Sequence, residues 1–338
     1  MLNSLLDAIG NTPLVRLSTE NTIDIYAKLE YCNPGGSVKD RSALYMIEYA
    51  EKKGLLKPGG TIVDASSGNH GVAVAMIGAI KGYPVIITVS EKISTEKLET
   101  IKAYGAKVVV CPATSFIDDP QGYHSVARRI AAETPGSFMP DQYFNIVNAK
   151  AHYALLGPEL WRQTNGRITH FFAAAGTGGT VSGAGRYLKE QNPAIKVIAL
   201  DAQTSFYSSK GNPKPYKIEG MGIDFVSPVM DYSIVDEIIP VADEDALVML
   251  KLLPKKYGIL AGMSSGAVAY GALHYCQNLP KDSLAVMIFG DSGRAYLSKN
   301  LFKPSIDTVC SFLSVFLCLL FLFIEPFQLI LRRHSVKA

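Results

Sequence analysis

One lysine stands in a setting that favours amine chemistry. It is Lys39, in the segment NPGGSVKDR at residues 33–41, where two glycines and a serine predict a tight turn before a helix. A lysine in the first turn of a helix faces the positive end of the helix dipole, which disfavours its ammonium form. The free amine, which condenses with carbonyl groups, is therefore favoured. A surface pair with Asp40 is the alternative, and the Gly-Gly-Ser setting makes it the weaker interpretation.

A second polar segment, ASSGNHG at residues 65–71, lies between an apolar strand pattern and an apolar helix pattern. Together with the first amides of the helix, Ser66, Ser67 and Asn69 form a set of donors suited to a carboxylate. His70 in the same segment is a candidate general acid or base. An ordinary helix cap with turn residues is the alternative interpretation of these side chains.

A glycine-rich turn, GTGGT, follows a third strand pattern; its members are Gly176, Thr177, Gly178, Gly179 and Thr180. Glycines let the backbone close around a phosphate, and the amides of the following helix point toward it. A dinucleotide fold is also compatible, because Asp201 ends the next strand at about the right distance. However, Val181 replaces the third glycine of that fingerprint, and no lysine follows as in a P-loop.

Three further turns lie toward the C-terminal side: EGMG at residues 219–222, ILAGMSSG at 259–266 and GDSG at 290–293. The first is suited to lining or closing a site. The last follows a buried strand pattern, where ligands gather in open α/β sheets. Catalytic Ser/His/Asp chemistry is not expected, because the sequence contains no GxSxG motif.

Alternating strand and helix patterns position these turns. Strands are predicted over residues 61–64, 84–89, 107–111, 169–175, 196–201 and 284–289, and helices over 71–81, 96–104 and 181–191. Such alternation implies parallel sheets with helices on both faces, connected by right-handed crossovers. Strands this apolar are expected to be buried on both sides.

Composition excludes several classes of protein. The 338 residues suffice for two domains or one large α/β unit, and 19% are charged. A net charge of +3 without basic runs gives no footprint for nucleic acid. Five cysteines without a CxxC pair favour reduced cytoplasmic thiols over disulfides or a zinc site, so no metal is expected. The N-terminus lacks the pattern of a secretory signal.

The C-terminal segment, residues 303–338, differs in character from the rest. Residues 309–324 contain no charge and account for most of the positive mean hydropathy of +0.15. Continued to residue 331 the run reaches the length of a membrane span, about 20 residues, but it includes Glu325 and Pro326. We therefore expect a hydrophobic tail that is a candidate membrane anchor through 309–331. The alternatives are a helix lying on a membrane or partner and a non-native extension.

Taken in chain order, these segments resemble the fold-type II pyridoxal-phosphate enzymes, in the branch of cysteine synthase and cystathionine β-synthase. The resemblance covers residues 5–302 and is carried by IGNTPLVRL, NPGGSVKDR, SSGNHG, DQY, AHY, GTGGTVSG, IEGMGIDF, ILAGMSSGA and DSGRAYLSK. It implies an α/β fold of the tryptophan synthase β type, with two open, mainly parallel twisted sheets and flanking helices. The cofactor, pyridoxal 5'-phosphate, would lie between a smaller domain (about 36–145) and a larger domain (1–35 plus 146–302), which together form a catalytic core over 1–302.

The resemblance also implies roles for individual residues. Lys39 would hold the cofactor as a Schiff base and act as the catalytic base. Asn69 would bind the ring oxygen of the cofactor, and residues 176–180 would cradle its phosphate. Ser292 would face the pyridine nitrogen, with the adjacent Asp291 as the alternative partner. The substrate carboxylate would be contacted by Ser66, Ser67, His70 and Gln142.

The implied activity is β-replacement at serine or O-acetylserine through an α-aminoacrylate intermediate. Sulfide or homocysteine would add to the β-carbon, giving L-cysteine or L-cystathionine. His70 stands where cysteine synthases usually have threonine, so the donor and the acceptor stay open.

Three other functions compete with this one. The loop SSGNH also resembles that of serine/threonine dehydratases of the same fold. An NAD-binding oxidoreductase would use GTGGT and Asp201, and a membrane-tethered binding protein would keep the fold alone. The family further implies a homodimer, and the cysteine pattern favours a cytoplasmic catalytic core with a candidate membrane association through the tail.

Overall fold

The computed structural model describes residues 1–17, 23–66, 68–114 and 117–303. The strands are β1 (Leu14–Arg16), β2 (Asp24–Leu29), β3 (Ile62–Ala65), β4 (Val85–Ser90), β5 (Lys107–Cys111), β6 (His170–Ala174), β7 (Lys196–Ala202), β8 (Glu237–Val241) and β9 (Leu284–Phe289). The α-helices are α1 (Lys39–Lys52), α2 (Asn69–Lys81), α3 (Thr95–Ala103), α4 (Tyr123–Glu133), α5 (Val147–Ala154), α6 (Leu156–Gln163), α7 (Gly179–Gln191), α8 (Asp243–Tyr257) and α9 (Met263–Tyr275). Short 3-10 helices cover Leu5–Ala8, Glu30–Cys32, Cys276–Asn278 and Gly293–Lys299.

The described strands form two sheets. The larger sheet has the order β1-β2-β9-β6-β7-β8, and the smaller has the order β3-β4-β5. Strand β1 pairs antiparallel with β2, whereas the other neighbouring strands in both sheets are parallel. The predicted α/β class, with two mainly parallel sheets and flanking helices, is confirmed.

Each sheet has its own apolar core. In the larger sheet, Phe171 of β6 packs in one cluster with Leu188 of α7. In the smaller sheet, Ile87 of β4 packs with Met76 of α2. Every residue of β3 and of β9 is buried, as expected for parallel strands covered on both faces. These cores make both sheets firm supports for the loops at their ends.

The predicted elements agree with the structure to within two residues. The strands over 107–111 and 284–289 match in full. Helix α2 begins at Asn69, two residues earlier than predicted, because Gly68 takes the N-cap position. Helix α7 likewise begins at Gly179 rather than at residue 181. In both helices, polar and glycine residues whose sequence pattern indicates a loop therefore form the first helical turn.

Residues 304–338 of the C-terminal tail and Ser67 lie outside the described residues. The predicted membrane contact through 309–331 and the tail over 303–338 consequently stay predictions. Within the described part of the chain, no helix combines the length and the apolar character needed to cross a bilayer.

Candidate active site

Loops that follow parallel strands of both sheets meet at one cavity. A cavity of about 170 Å³ is lined by Ser66 from the loop after β3, by His70 from the first turn of α2, and by Gly176 and Thr177 from the loop after β6. It also reaches Lys39. A smaller space of about 50 Å³ adjoins it, lined by Lys39, the glycine-rich turn, Ser264 and Asp291. The cavity therefore lies at the carboxyl ends of the strands, where ligands bind in open α/β sheets.

Lys39 is the first residue of α1, in the helical position that the sequence predicts. Its loop is held on the end of β9, because Val38 N donates to Gly290 O at 2.8 Å. Burial lowers the pKa of Lys39 from its usual 10.5 to about 8, while the Asp291 carboxylate opposes the shift. The direction agrees with the sequence argument, but the dominant cause is loss of hydration rather than the helix dipole.

Asn69 is held by a hydrogen-bonded group beside Lys39. Asn69 Nδ2 donates to Asp291 Oδ2 at 2.7 Å, and the Tyr296 hydroxyl donates to the same oxygen at 2.5 Å. Asp291 is buried, and its Oδ1 has no hydrogen-bond partner among the described residues. This arrangement fixes the Asn69 amide at the wall of the cavity.

The glycine-rich turn has the shape of an anion cradle. Gly178 has φ +87°, and a Cβ there would lie 2.7 Å from Met230 Cα; at Gly179 a Cβ would lie 2.4 Å from Asn148 Oδ1. Only glycine therefore lets the turn pack this closely. Thr177 Oγ1 accepts from Gly179 N at 3.2 Å, and the first turn of α7 offers further amides without intrahelical acceptors. These features, facing the space of about 50 Å³, fit a phosphate group.

Thr180 closes the turn and is buried, with its Oγ1 at 3.4 Å from His152 Nε2. Ser66 and Gln142 are also buried and line the larger cavity. Ser66 Oγ accepts from the backbone N of Gly71 at 3.0 Å, so it fixes the start of α2. Its own hydroxyl proton meets no acceptor among the described residues, so it is available for a ligand.

His70 lines the same cavity, but its ring is paired with a carboxylate. Its Nδ1 lies 2.9 Å from Asp64 Oδ2, and both side chains are buried. Its Nε2 has no hydrogen-bond partner among the described residues. The sequence identifies His70 as a candidate but does not reveal its partner.

Ser292 does not line the cavity that contains Lys39. It lines a neighbouring cavity of about 540 Å³ with Asn33 and Thr100, and its Oγ lies 3.5 Å from Leu260 O. Ser264, from the AGMSSG turn at the start of α9, lines the space beside Lys39 instead. In the segment that follows β9, the residue whose backbone pairs with the Lys39 loop is Asp291 and not Ser292. Asp291 forms an isolated antiparallel β-bridge with Ser37.

Asp201 is not placed to bind a dinucleotide ribose. It is buried, and its Oδ2 accepts hydrogen bonds from the hydroxyl of Ser205 and from the hydroxyl and backbone N of Ser208. The carboxylate thus fixes the turn after β7. This contradicts the interpretation in which Asp201 and GTGGT bind NAD.

Lys97 lines the cavity, although the sequence does not identify it as a site residue. Lys97 of α3 lies 3.4 Å from Glu219 Oε2 and 3.9 Å from the centre of the Tyr296 ring. Glu219 belongs to the EGMG turn, which does line the cavity as predicted, and it also pairs with Lys299. The sequence predicts a helix over 96–104, but no local pattern indicates that Lys97 reaches this wall.

A family model described as pyridoxal-phosphate dependent enzyme matches residues 5–291. With the fold and the Lys39 cavity, this match places the chain among the pyridoxal-phosphate-dependent enzymes of fold-type II. The chain belongs to that family, and its cofactor is pyridoxal 5'-phosphate. The oxidoreductase alternative is therefore wrong.

Named relatives narrow the class to the cysteine synthase and cystathionine β-synthase type. The chain is 42% identical over 317 residues to a cystathionine β-synthase of Apis mellifera, covering 91% of this chain and 63% of that protein. It is 41% identical over 306 residues to a cysteine synthase of Staphylococcus aureus, covering 89% of this chain and 97% of that protein. The crystal structure of the O-acetylserine-dependent cystathionine β-synthase of Helicobacter pylori matches this structure with a TM-score of 0.84 and 36% sequence identity. The match covers 90% of this chain and 99% of that chain.

Proposed function

We propose that this enzyme replaces the β-substituent of serine or O-acetylserine with sulfide or a thiol such as homocysteine. The observation that carries the proposal is the buried amine of Lys39, with its pKa lowered to about 8, beside a glycine-rich anion cradle. The products would be L-cysteine or L-cystathionine. Relatives named for both activities support the class without choosing between the two.

The cofactor, when bound, supplies an electron sink for the negative charge that develops at the substrate Cα. Lys39 would hold it, the turn from Gly176 to Thr180 would bind its phosphate, and Asn69 would bind its ring oxygen. For the pyridine nitrogen we propose Ser264, rather than Ser292, since Ser264 lines the space beside Lys39. A neutral hydroxyl there does not protonate the nitrogen, which suits β-elimination.

The substrate carboxylate is proposed to bind at the start of α2. Ser66 and Gln142 line the cavity there, and the first amides of α2 add donors that lack intrahelical acceptors. Ser67 stays a predicted contact, since it lies outside the described residues. Binding at this position would orient the substrate Cα–H toward Lys39.

Lys39 is proposed to move the proton at Cα. Its lowered pKa, about 8, provides a free amine at mildly alkaline pH, and a free amine accepts that proton. The resulting ammonium returns the proton to Cα when the new bond has formed. The buried setting keeps bulk water from competing for this proton.

The predicted domains and assembly belong to the same proposal. The smaller sheet lies within the range 36–145 and the larger sheet outside it, which supports a cofactor between two domains. Ile146, Tyr153 and Val229 line an apolar surface cavity of about 430 Å³, which supports the predicted homodimer. A cytoplasmic location of the core stays a prediction. Light scattering of the purified protein would test the dimer, and a monomeric mass would contradict it.

A panel of substrates tests the reaction. The holoenzyme is incubated with serine or O-acetylserine, each with sulfide, with homocysteine or without a thiol, and the products are identified by mass spectrometry. The proposal predicts cysteine or cystathionine only where donor and acceptor are both present. Release of ammonia and an oxo-acid at the same rate without a thiol would contradict it and indicate a dehydratase.

A further inference from the structure

His70 and Asp64 form a buried pair at one wall of the cavity that contains Lys39. Asp64 belongs to β3 and His70 to the first turn of α2, so two regular elements hold the pair. His70 Nδ1 lies 2.9 Å from Asp64 Oδ2, which orients the ring. The far nitrogen, Nε2, is buried without a hydrogen-bond partner among the described residues. A buried polar atom of this kind is costly unless a ligand supplies the missing hydrogen bond.

Lys39 already carries the Cα proton in the proposed reaction, and the tyrosines and Lys97 of this wall are poorly suited to give up a proton at neutral pH. Burial raises the pKa of Tyr143 to about 12, and it raises the pKa of Tyr123 and of Tyr296 well above the usual value of 10.0. Lys97 Nζ lies 3.4 Å from Glu219 Oε2, and an alkylammonium is in general a far weaker acid than an imidazolium. His70 is therefore the member of this wall whose chemistry suits proton donation.

We propose that His70 is the general acid that protonates the hydroxyl leaving group of a serine donor, and that Asp64 orients its ring. The proposal rests on the β-replacement proposed above and extends it to the choice of donor. The hydroxyl of serine is a poor leaving group unless it is protonated, whereas the acetate of O-acetylserine departs as a stable carboxylate. A correctly placed acid is thus needed for serine and dispensable for O-acetylserine.

Protons and bonding electrons move in a closed cycle. When the Cβ–O bond breaks, the oxygen keeps the bonding electron pair and takes the proton from His70 Nε2, so that water leaves. The incoming thiol then gives its proton to His70 Nε2, and an electron pair of its sulfur forms the Cβ–S bond. Lys39 returns the proton that it removed from Cα. Serine and thiol become a thioether amino acid and water, and both side chains regain their starting states.

The test is the selectivity between two donors. We compare kcat/KM for serine and for O-acetylserine, with the same acceptor, in holoenzymes of the wild type, His70→Gln and Asp64→Asn. The glutamine keeps a neutral hydrogen-bonding group of similar reach. The ratio of serine to O-acetylserine should fall at least about 100-fold in His70→Gln and by a smaller factor in Asp64→Asn. His170→Gln, at the start of β6 and outside the cavity lining, is the matched control whose ratio should equal that of the wild type.

A binding measurement separates the acid from a simple substrate contact. Glycine carries the same carboxylate but no leaving group, and its Kd for each holoenzyme is measured by calorimetry. The proposal predicts that the Kd of His70→Gln stays within about threefold of the wild type. A rise of tenfold or more, or an equal loss of both donors, would show that His70 binds the carboxylate and overturn the proposal.

The outcomes also separate this proposal from the function on which it rests. A wild-type enzyme that uses O-acetylserine but not serine would overturn the role of His70 and leave β-replacement standing. A wild-type enzyme that uses neither donor would overturn β-replacement itself. If His70→Gln fails to fold, Asp64→Asn decides: an unchanged ratio overturns the proposal, and a lowered ratio supports it.

Discussion

Lys39 and Arg41 stand two residues apart on α1, and each belongs to a buried polar region. The two regions differ in whether their buried polar atoms find hydrogen-bond or ion-pair partners within the protein. The Arg41 cluster consists of Lys28, Glu30, Arg41 and Glu159. Arg41 binds both carboxylates, with Nε at 2.7 Å from Glu30 Oε2 and Nη1 at 2.8 Å from Glu159 Oε2. Lys28 also pairs with Glu159 and donates to Thr12 O at 2.5 Å. Two cations and two anions thus satisfy one another.

Around the Lys39 cavity, in its lining or directly behind it, are buried polar atoms that the described residues leave unpaired. His70 Nε2, Asp64 Oδ1 and Asp291 Oδ1 have no hydrogen-bond partner among the described residues. Each region shifts pKa values in its own way. Burial alone would raise the pKa of Glu159, but Arg41 and Lys28 lower it to about 2, whereas burial lowers the pKa of Lys39 to about 8. Complete pairing is typical of a structural anchor, and incomplete pairing of a site that a ligand completes.

The largest expected effect is on catalysis. Lys39→Ala removes the amine that handles the Cα proton, so we expect turnover to fall at least about 1,000-fold. The free energy of unfolding of the apoenzyme should change by less than about 1 kcal/mol, because a desolvated amine does little to stabilise the fold. Steady-state kinetics and denaturant unfolding of the same preparation measure both. Retained turnover would contradict the assignment of Lys39.

The Arg41 cluster should show the opposite behaviour. Arg41→Met leaves two buried carboxylates without their guanidinium, and we expect a loss of about 3–5 kcal/mol in the free energy of unfolding. The matched control is Lys102→Ala, which removes an exposed ion pair with Glu99 and should cost less than about 1 kcal/mol. Urea unfolding of the three proteins measures the difference. Similar losses for both variants would remove the contrast between the two regions.

The glycine-rich turn should respond in both stability and cofactor binding. Gly178→Ala places a Cβ 2.7 Å from Met230 Cα at φ +87°, and we expect a cost of about 1–3 kcal/mol with weaker cofactor binding. Gly54→Ala is the control, because Gly54 has φ +69° in open space. Cofactor titration of the apoenzymes should separate the two variants. Equal cofactor affinity would argue against a phosphate in this turn.

The smallest effect is a pH dependence set by Lys39. Below its pKa of about 8 the side chain is an unreactive ammonium, so the rate at which the apoenzyme takes up cofactor should fall tenfold per pH unit. Above that value the amine is free and the rate should level off. Stopped-flow absorbance from pH 6.5 to 9.5 records the profile. A rate that still rises steeply at pH 9.5 would indicate an ordinary lysine.

The loops that line the cavity were predictable because each contains its functional residues within one short sequence segment. Lys39, Asn69 and the turn from Gly176 to Thr180 each stand in a short segment whose glycines, serines and flanking periodicity indicate a site. The same strand and helix patterns predict the two parallel sheets, since apolar runs of this length are buried on both faces.

Contacts between distant segments were not predictable in this way. The choice between Ser264 and Ser292 depends on how β9 and α9 pack, because both serines stand in similar turns. The pairing of Arg41 with Glu159 joins residues 118 positions apart. Asp64 and His70 are close in sequence, yet their contact requires the strand to end and the helix to begin at these residues.

Borohydride reduction of the holoenzyme, followed by peptide mapping, tests most directly that Lys39 holds the cofactor. Reduction fixes the cofactor covalently to the lysine that carries it. We predict a yellow protein that loses its colour on reduction and carries one cofactor, on the peptide that contains Lys39. A label on Lys97 or another lysine, or no label at all, would contradict it.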